Sequence, residues 1–336
     1  MKQAFVDQTT SVAVKDTEVP VPNAGQVVIR VVVSGTNPKD WKVPAWFADK
    51  GPTNQGDDIA GYIEAVGDDV VGFKKGDKVA AFHEMRTPFG SYGEYAIAYA
   101  YTTFHIPEKT SFEEAATLPL AYMTAALGNY QALNLPLPWN PTSERLPLVV
   151  YGGATAVGAF AIKLAKISNI HPIIAVAGRG SAFVESLLDR SKGDTIVDYR
   201  EGDEAVQAKI KAAAGGPVYH AFDAVAALST PAKIAVVLPV VDYQPPSGVT
   251  ITRVMVGTVH EPPAEGKTIG DREFGAAFFQ LLGRGLAQGW FSGHPYEVRP
   301  GGLHGLQGAL RDLKDGKASA VKYVVRIAET EGVSKA

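Results

Sequence analysis

The spacing of apolar positions changes along this chain, and each spacing predicts a different kind of element. Val27-Val28-Ile29-Arg30-Val31-Val32-Val33, Gly61-Tyr62-Ile63-Glu64-Ala65-Val66 and Lys78-Val79-Ala80-Ala81-Phe82 are β-type runs. Turns at Gly67-Asp68-Asp69, Gly76-Asp77 and Thr87-Pro88 separate them, which predicts a turn-rich, mostly antiparallel domain. Helical signals begin at Ser111-Phe112-Glu113-Glu114, a capping-type start, and strengthen from Met123 to Leu133. Residues 135–147 carry four prolines and must be a loop.

A second texture starts at Leu148-Val149-Val150-Tyr151, which runs into Gly152-Gly153-Ala154-Thr155. Val157, Phe160, Ala161, Leu164 and Ile167 then recur as one face of a helix. Further apolar runs at His171–Ala177, Asp194–Tyr199 and Val218–Val225 read as strands, with helical stretches around 183–190 and 203–214 between them. Strands alternating with helices predict a doubly wound parallel sheet. The region from Gln244 to Gly270 reads as irregular, split by a short strand at Thr252–Val259. Ser319–Ile327 reads as a strand returning to the first domain, and the sequence shows no internal repeat.

The strand, glycine turn and helix start at residues 148–158 form a cradle for an anion. Backbone N–H groups point outward there, and the helix dipole favours negative charge. The contributing positions are Gly153, Ala154, Thr155, Ala156 and Val157. The pattern is G-G-x-x-x-x-G, looser than the dinucleotide fingerprint. At the end of the next strand an NAD-binding unit carries a carboxylate for the ribose 2′-hydroxyl. This chain has Gly178-Arg179-Gly180-Ser181 there, and its first later acid is Glu185. A guanidinium and a hydroxyl suit a 2′-phosphate, so Arg179 and Ser181 point to NADPH over NADH.

Composition narrows the chemistry. The 336 residues suit two domains, and a net charge of −3 gives no reason to expect nucleic acid or an anionic membrane as partner. No apolar run is long enough to span a bilayer, no secretory signal is evident, and the terminal Ser334-Lys335-Ala336 lacks the final Leu of a peroxisomal tripeptide. A cytoplasmic location is expected. The chain has no cysteine, and its seven histidines lack metal-ligand spacing, so no metal site is expected.

Four segments carry a resemblance that covers nearly the whole chain: Asn37-Pro38-Lys39-Asp40-Trp41-Lys42, residues 56–67 (GDDIAGYIEAVG), Phe73-Lys74-Lys75-Gly76-Asp77-Lys78-Val79, and Gly90-Ser91-Tyr92-Gly93-Glu94-Tyr95. With the glycine turn, they make the chain resemble the zinc-free quinone oxidoreductase and enoyl reductase branch of the medium-chain dehydrogenase/reductase superfamily. Fungal zinc-binding-oxidoreductase homologues and stand-alone polyketide enoyl reductases are the nearest in flavour. Zinc members carry Cys near Ser34–Asn37 and Gly-His-Glu where this chain has Gly56-Asp57-Asp58. The resemblance implies an α/β fold: a GroES-like β domain at 1–122, a Rossmann doubly wound parallel-sheet domain at 123–287, and 288–336 returning to the first.

It also implies roles. Lys42 would donate to a developing oxyanion or orient the nicotinamide ribose; Asn37 would shape its loop near the ligand; Thr124 would lie under the nicotinamide. Tyr199 would approach the adenosine phosphate, Val225 would line the cofactor, and Gly257 and Thr258 would end a strand beneath the carboxamide. Trp46, Phe47, His83 and His260 would border a flat substrate. Relatives with a tyrosine soon after the Asn-Pro segment use it as proton donor; residues 43–50 contain none, leaving solvent or an unassigned group. The expected activity is NADPH-dependent hydride transfer to an activated C=C or a quinone. Two alternatives stay open: a trans-acting enoyl reductase for a carrier-bound polyketide, and an NADPH-binding protein with little turnover. A small-molecule substrate, a carrier protein and a homodimer are the candidate partners.

Overall fold

The computed structural model describes residues 1–223, 233–237 and 247–333. It divides into two compact units, Met1–Leu120 with Gly257 onward, and Ala121–Val256.

The chain opens with an antiparallel hairpin, β1 (Lys2–Val6) and β2 (Val12–Asp16). The main sheet of this unit begins with β3 (Gln26–Gly35), then β4 (Asp58–Val66), β5 (Lys78–Phe82), β6 (Tyr95–Tyr99) and β7 (Thr103–His105). Between β3 and β4 lies α1 (Lys39–Trp46). Alternating side chains of these strands build one core, in which Val27, Ile29, Ile59, Ile63, Val79 and Tyr92 are buried. Ser111 caps α2 (Phe112–Ala115) through its side chain, as the capping signal predicts.

The chain passes to the second unit within α3 (Pro119–Ala126), which continues as a wide π-turn over Leu127–Ala132. Next come β8 (Leu148–Tyr151), α4 (Ala156–Ile167), β9 (Ile173–Ala177), α5 (Ser181–Glu185), β10 (Thr195–Asp198), α6 (Asp203–Ala214), β11 (His220–Asp223), β12 (Lys233–Val236) and β13 (Thr250–Arg253). These strands form one parallel sheet in the order β10-β9-β8-β11-β12-β13. Strand order reverses on either side of β8, the switch point at which open α/β sheets bind ligands. All five residues of β9 are buried, as a sheet covered on both faces requires.

Beyond Val256 the chain joins the first unit again, with α7 (Asp271–Gln288), β14 (Tyr296–Val298), α8 (Leu306–Lys314) and β15 (Lys322–Arg326). β15 pairs antiparallel with β3, completing the sheet order β14-β15-β3-β4-β5-β7, with β6 also on β3. The contact boundary falls at Val256, ahead of residue 287, because α7 packs on β7 and stacks Phe279 on Phe104 with ring centroids 5.7 Å apart. The expected strand at Thr252–Val259 is split: β13 ends at Arg253, and Val256–His260 coil into a 3₁₀ turn. The helix expected at 183–190 is the five-residue α5.

The π-turn is docked on α4. Asn129 Nδ2 donates to Ala161 O at 3.0 Å and the Tyr130 hydroxyl donates to Leu164 O at 3.0 Å. On its other side the turn lies close against β11 at Gly128, where a Cβ would sit 2.1 Å from Cε2 of the buried Phe222. Gly128→Ala is therefore expected to lower stability by about 1–3 kcal/mol through overpacking. A second change, Phe222→Leu, should recover part of it; denaturant unfolding of the three proteins checks both.

Candidate functional site

In the second unit three features gather at the carboxyl ends of β8, β9 and β10. After β8 the chain turns at Gly152, whose φ is +76°. Gly158 is obligatory for the same turn, because a Cβ there would lie 2.3 Å from Gly152 O. Thr155 caps α4, accepting from Gly158 N at 3.0 Å. The first-turn N–H groups of Ala156 and Val157 have no intrahelical acceptor, and Thr155 is exposed beside them. Gly153 is buried against Ala175 and Ile162, so within the turn it serves close packing. After β9, Arg179 is exposed and Ser181 half-buried. The Ser181 hydroxyl donates to Gly178 O at 2.6 Å, so its proton faces the turn in this arrangement. Glu185 forks onto Arg190, with Nε 2.8 Å away, and Asp198 is clasped by Arg200, which holds its carboxyl down to about 2. Tyr199 is 45% exposed and its ring covers Gly178, where a Cβ would meet Cε1 at 2.5 Å. Thr124 is buried in α3, and Val225 lies outside the described residues.

In the first unit, the Asn37–Lys42 segment forms the start of α1. Here the structure brings together charges that the sequence reading did not connect. Lys39 Nζ lies 2.5 Å from Asp57 Oδ2, 3.2 Å from Asp40 Oδ1 and 2.5 Å from Gln55 O. Asp40 Oδ2 accepts from the Tyr92 hydroxyl at 2.6 Å and from Asn37 N at 2.7 Å. Lys322, arriving on β15, pairs with Asp58 and donates to Asn37 Oδ1 at 3.0 Å. Asn37 Nδ2 donates to Asp58 Oδ2 at 2.8 Å, and Leu120 N donates to Asp58 Oδ1 at 2.7 Å. Both ends of the Asn37 amide are thus committed inside the cluster, and its role there is anchoring.

Asp40, Asp57, Asp58 and Lys322 are all buried. Burial, partly offset by Lys39, pushes Asp40 and Asp57 up to about 6, and a neighbouring carboxylate adds to the rise in each case. Lys39 itself stays charged: burial disfavours the ammonium, but Asp57 and Asp40 outweigh it. Ser34 and Ser91 share a buried 2.6 Å hydrogen bond nearby. Among the described residues no group of three or more His, Asp or Glu is arranged to hold a metal ion.

Lys42 lies three residues beyond Lys39 on α1. Its half-buried ammonium sits 5.3 Å from the Trp41 ring centroid, and burial pulls its pKa down. Trp46 and Phe47 end the helix, each 41% exposed. His83 is engaged at both nitrogens: Nδ1 is 2.6 Å from Ile97 O, and Nε2 is 3.2 Å from both Thr87 Oγ1 and Thr87 O. Gly257 and Thr258 stand in the 3₁₀ turn, where Thr258 Oγ1 donates to Asp271 Oδ2 at 2.5 Å.

His260 packs among Phe82, Tyr99 and Tyr101, with Nε2 3.3 Å from Phe82 O and Nδ1 buried without a partner. Burial lowers its pKa from 6.5 to about 4. The fold therefore prefers the neutral ring, while the unfolded chain takes up a proton first as pH falls. The stability from this group is complete above pH 6.5 and is lost towards pH 4. His260→Gln should shrink the drop in unfolding free energy between pH 7 and pH 5 by about 2 kcal/mol, measured by denaturant unfolding at both pH values.

Comparison with known proteins places this architecture. Residues 23–108 match the alcohol dehydrogenase GroES-like domain family. The trans-enoyl reductase fsr4 of Gibberella fujikuroi is 42% identical over 320 residues, spanning 91% of this chain and 92% of that protein. Trans-enoyl reductase ACTTS2 of Alternaria alternata is 31% identical over 92% of this chain and 94% of its own. Among solved structures, the CurK enoyl reductase superposes with a TM-score of 0.77 at 19% identity, covering 97% of this chain and 98% of that one. The chain belongs to the trans-enoyl reductase family and is an oxidoreductase.

Proposed function

We propose that this protein is an NADPH-dependent, metal-independent reductase of conjugated enoyl or enone double bonds. The observation that carries the reading is the open first turn of α4 at the switch point, followed at the end of β9 by an exposed arginine and no free carboxylate. The Gly152–Gly158 crossing leaves no room for a Cβ, so backbone amides stand where side chains otherwise would. This suits a pyrophosphate on Ala154, Thr155, Ala156 and Val157, with Arg179 on a 2′-phosphate and the face of Tyr199 beside it. Thr124, in the second unit, is the group assigned to the nicotinamide.

Bound, the reduced nicotinamide supplies the hydride that adds to the β-carbon of the conjugated carbonyl. As charge gathers on the carbonyl oxygen, an ammonium held beside it lowers the barrier, and Lys42 is the group assigned to that task. Trp46 and Phe47 offer flat apolar surfaces to the acyl group, and solvent returns the proton to the α-carbon. A carrier-bound acyl chain is the second reading, favoured by the 42% identity to a protein named for enoyl reduction in trans.

Purified protein titrated with NADPH and NADH, then followed at the reduced-nicotinamide band with an α,β-unsaturated ketone, tests the proposal. NADPH should bind more tightly and be oxidised, and preference for NADH would overturn the assignment of Arg179. Arg179→Ala should weaken NADPH about tenfold to a hundredfold, the value of a charge-assisted hydrogen bond, and leave NADH unchanged. Lys42→Met should lower kcat by roughly a hundredfold or more. A metal chelator should leave the rate unaltered.

A further inference from the structure

The short helix α1 lacks the usual means of fixing its own orientation. It has eight residues, no side-chain cap at its start, and Pro44 inside it. Helices of this length are marginal by themselves, so the direction of α1 has to be set from outside. Val43 and Pro44 are buried and Trp41 packs on the core, and two neighbouring residues in its first turn add polar ties. Asp40 ties to Tyr92, and Lys39 reaches the 55–57 segment. That segment is rigid in turn. Asn54 Nδ2 donates to Gly90 O at 3.0 Å, Ser91 N donates to Gly56 O at 2.8 Å, and a Cβ on Gly56 would strike Ser91 Oγ at 2.4 Å.

An ammonium has three protons, and Lys39 has three acceptors, namely Asp57 Oδ2, Asp40 Oδ1 and Gln55 O. Lys42 follows at i+3 and Trp46 at i+7, positions that share the Lys39 side of the helix. A helix turned about its axis carries both with it.

We infer that Lys39 is a positioning residue: its ion-paired ammonium fixes the rotation of α1 and thereby sets where the Lys42 ammonium and the Trp46 ring are presented. This rests on the assignment of Lys42 to the substrate carbonyl made above. Misplacing such a group by about 1 Å costs roughly a hundredfold in rate. A purely structural ion pair behaves otherwise, since exchanging both buried partners for apolar residues of similar volume is often neutral.

The test compares wild type, Lys39→Met paired with Asp57→Leu and with Asp40→Asn so that no carboxylate is left without its ammonium, and Lys39→Arg, which keeps the charge but replaces a compact ammonium by a planar fork. Three properties are measured: the unfolding midpoint, kcat with an enone, and the rate at which acetic anhydride labels Lys42 across pH, read by mass spectrometry. The paired variant should unfold within a few degrees of wild type, yet show kcat lowered about tenfold to a hundredfold and a shifted Lys42 labelling profile. Recovery of wild-type kcat together with stability would overturn the inference. Labelling needs no turnover, so it decides the matter even if the enone is not reduced: a Lys42 profile unchanged in the paired variant sinks the proposal. If the paired variant fails to fold, the Lys42 profile of Lys39→Arg is read by the same criterion.

Discussion

Five ionisable groups held away from water organise the first unit. Asp40, Asp57 and Asp58 carry up to three negative charges against the two ammoniums of Lys39 and Lys322. Removing such charges from water is costly unless each is paired and every remaining lone pair is hydrogen-bonded. The fold meets that demand by drawing on distant segments: the start of α1, the 54–58 segment, Tyr92, the amide of Leu120, and β15. These segments cannot move independently without stranding a charge. The return of the chain to its first sheet is therefore more than strand pairing, because Lys322 arrives on the returning strand and its absence would leave Asp58 without a counter-charge.

The second unit is organised by steric exclusion. Gly158 passes over Gly152, Gly128 lies against Phe222, and Gly178 lies under Tyr199. In each case a missing Cβ lets two pieces of chain approach more closely than any other residue allows. At the first of these crossings the close approach bares backbone donors at the N-terminus of α4.

The parts legible in the sequence were those encoded locally. The glycine turn with its following helix, the helix at 203–214 and the strand at 78–82 all lie where periodicity and punctuation put them. The parts that were not legible depend on long-range partners. Lys39 and Asp57 are eighteen positions apart and Lys322 and Asp58 are 264 apart, and a charged residue in one sequence looks like a solvated one. The only hint was an Asp-Asp pair where a mostly apolar strand begins. His83 was a candidate by residue type, yet both its nitrogens are engaged within the fold. The 252–259 run had strand composition, but Gly257 interrupts it and the chain coils there. Ser181 occupies the expected place, though its hydroxyl closes the turn behind it.

The complete lack of cysteine acquires a meaning once the substrate class is considered. A conjugated enoyl or enone group is a soft electrophile, and the thiolate is the side chain that adds to it most readily. A catalyst that concentrates such molecules around itself would alkylate its own thiols with each encounter. With none present, the remaining nucleophiles are amines and imidazoles, and two of the amines, Lys39 and Lys322, have their protons tied up by carboxylates. The chain therefore offers such compounds no thiol to alkylate.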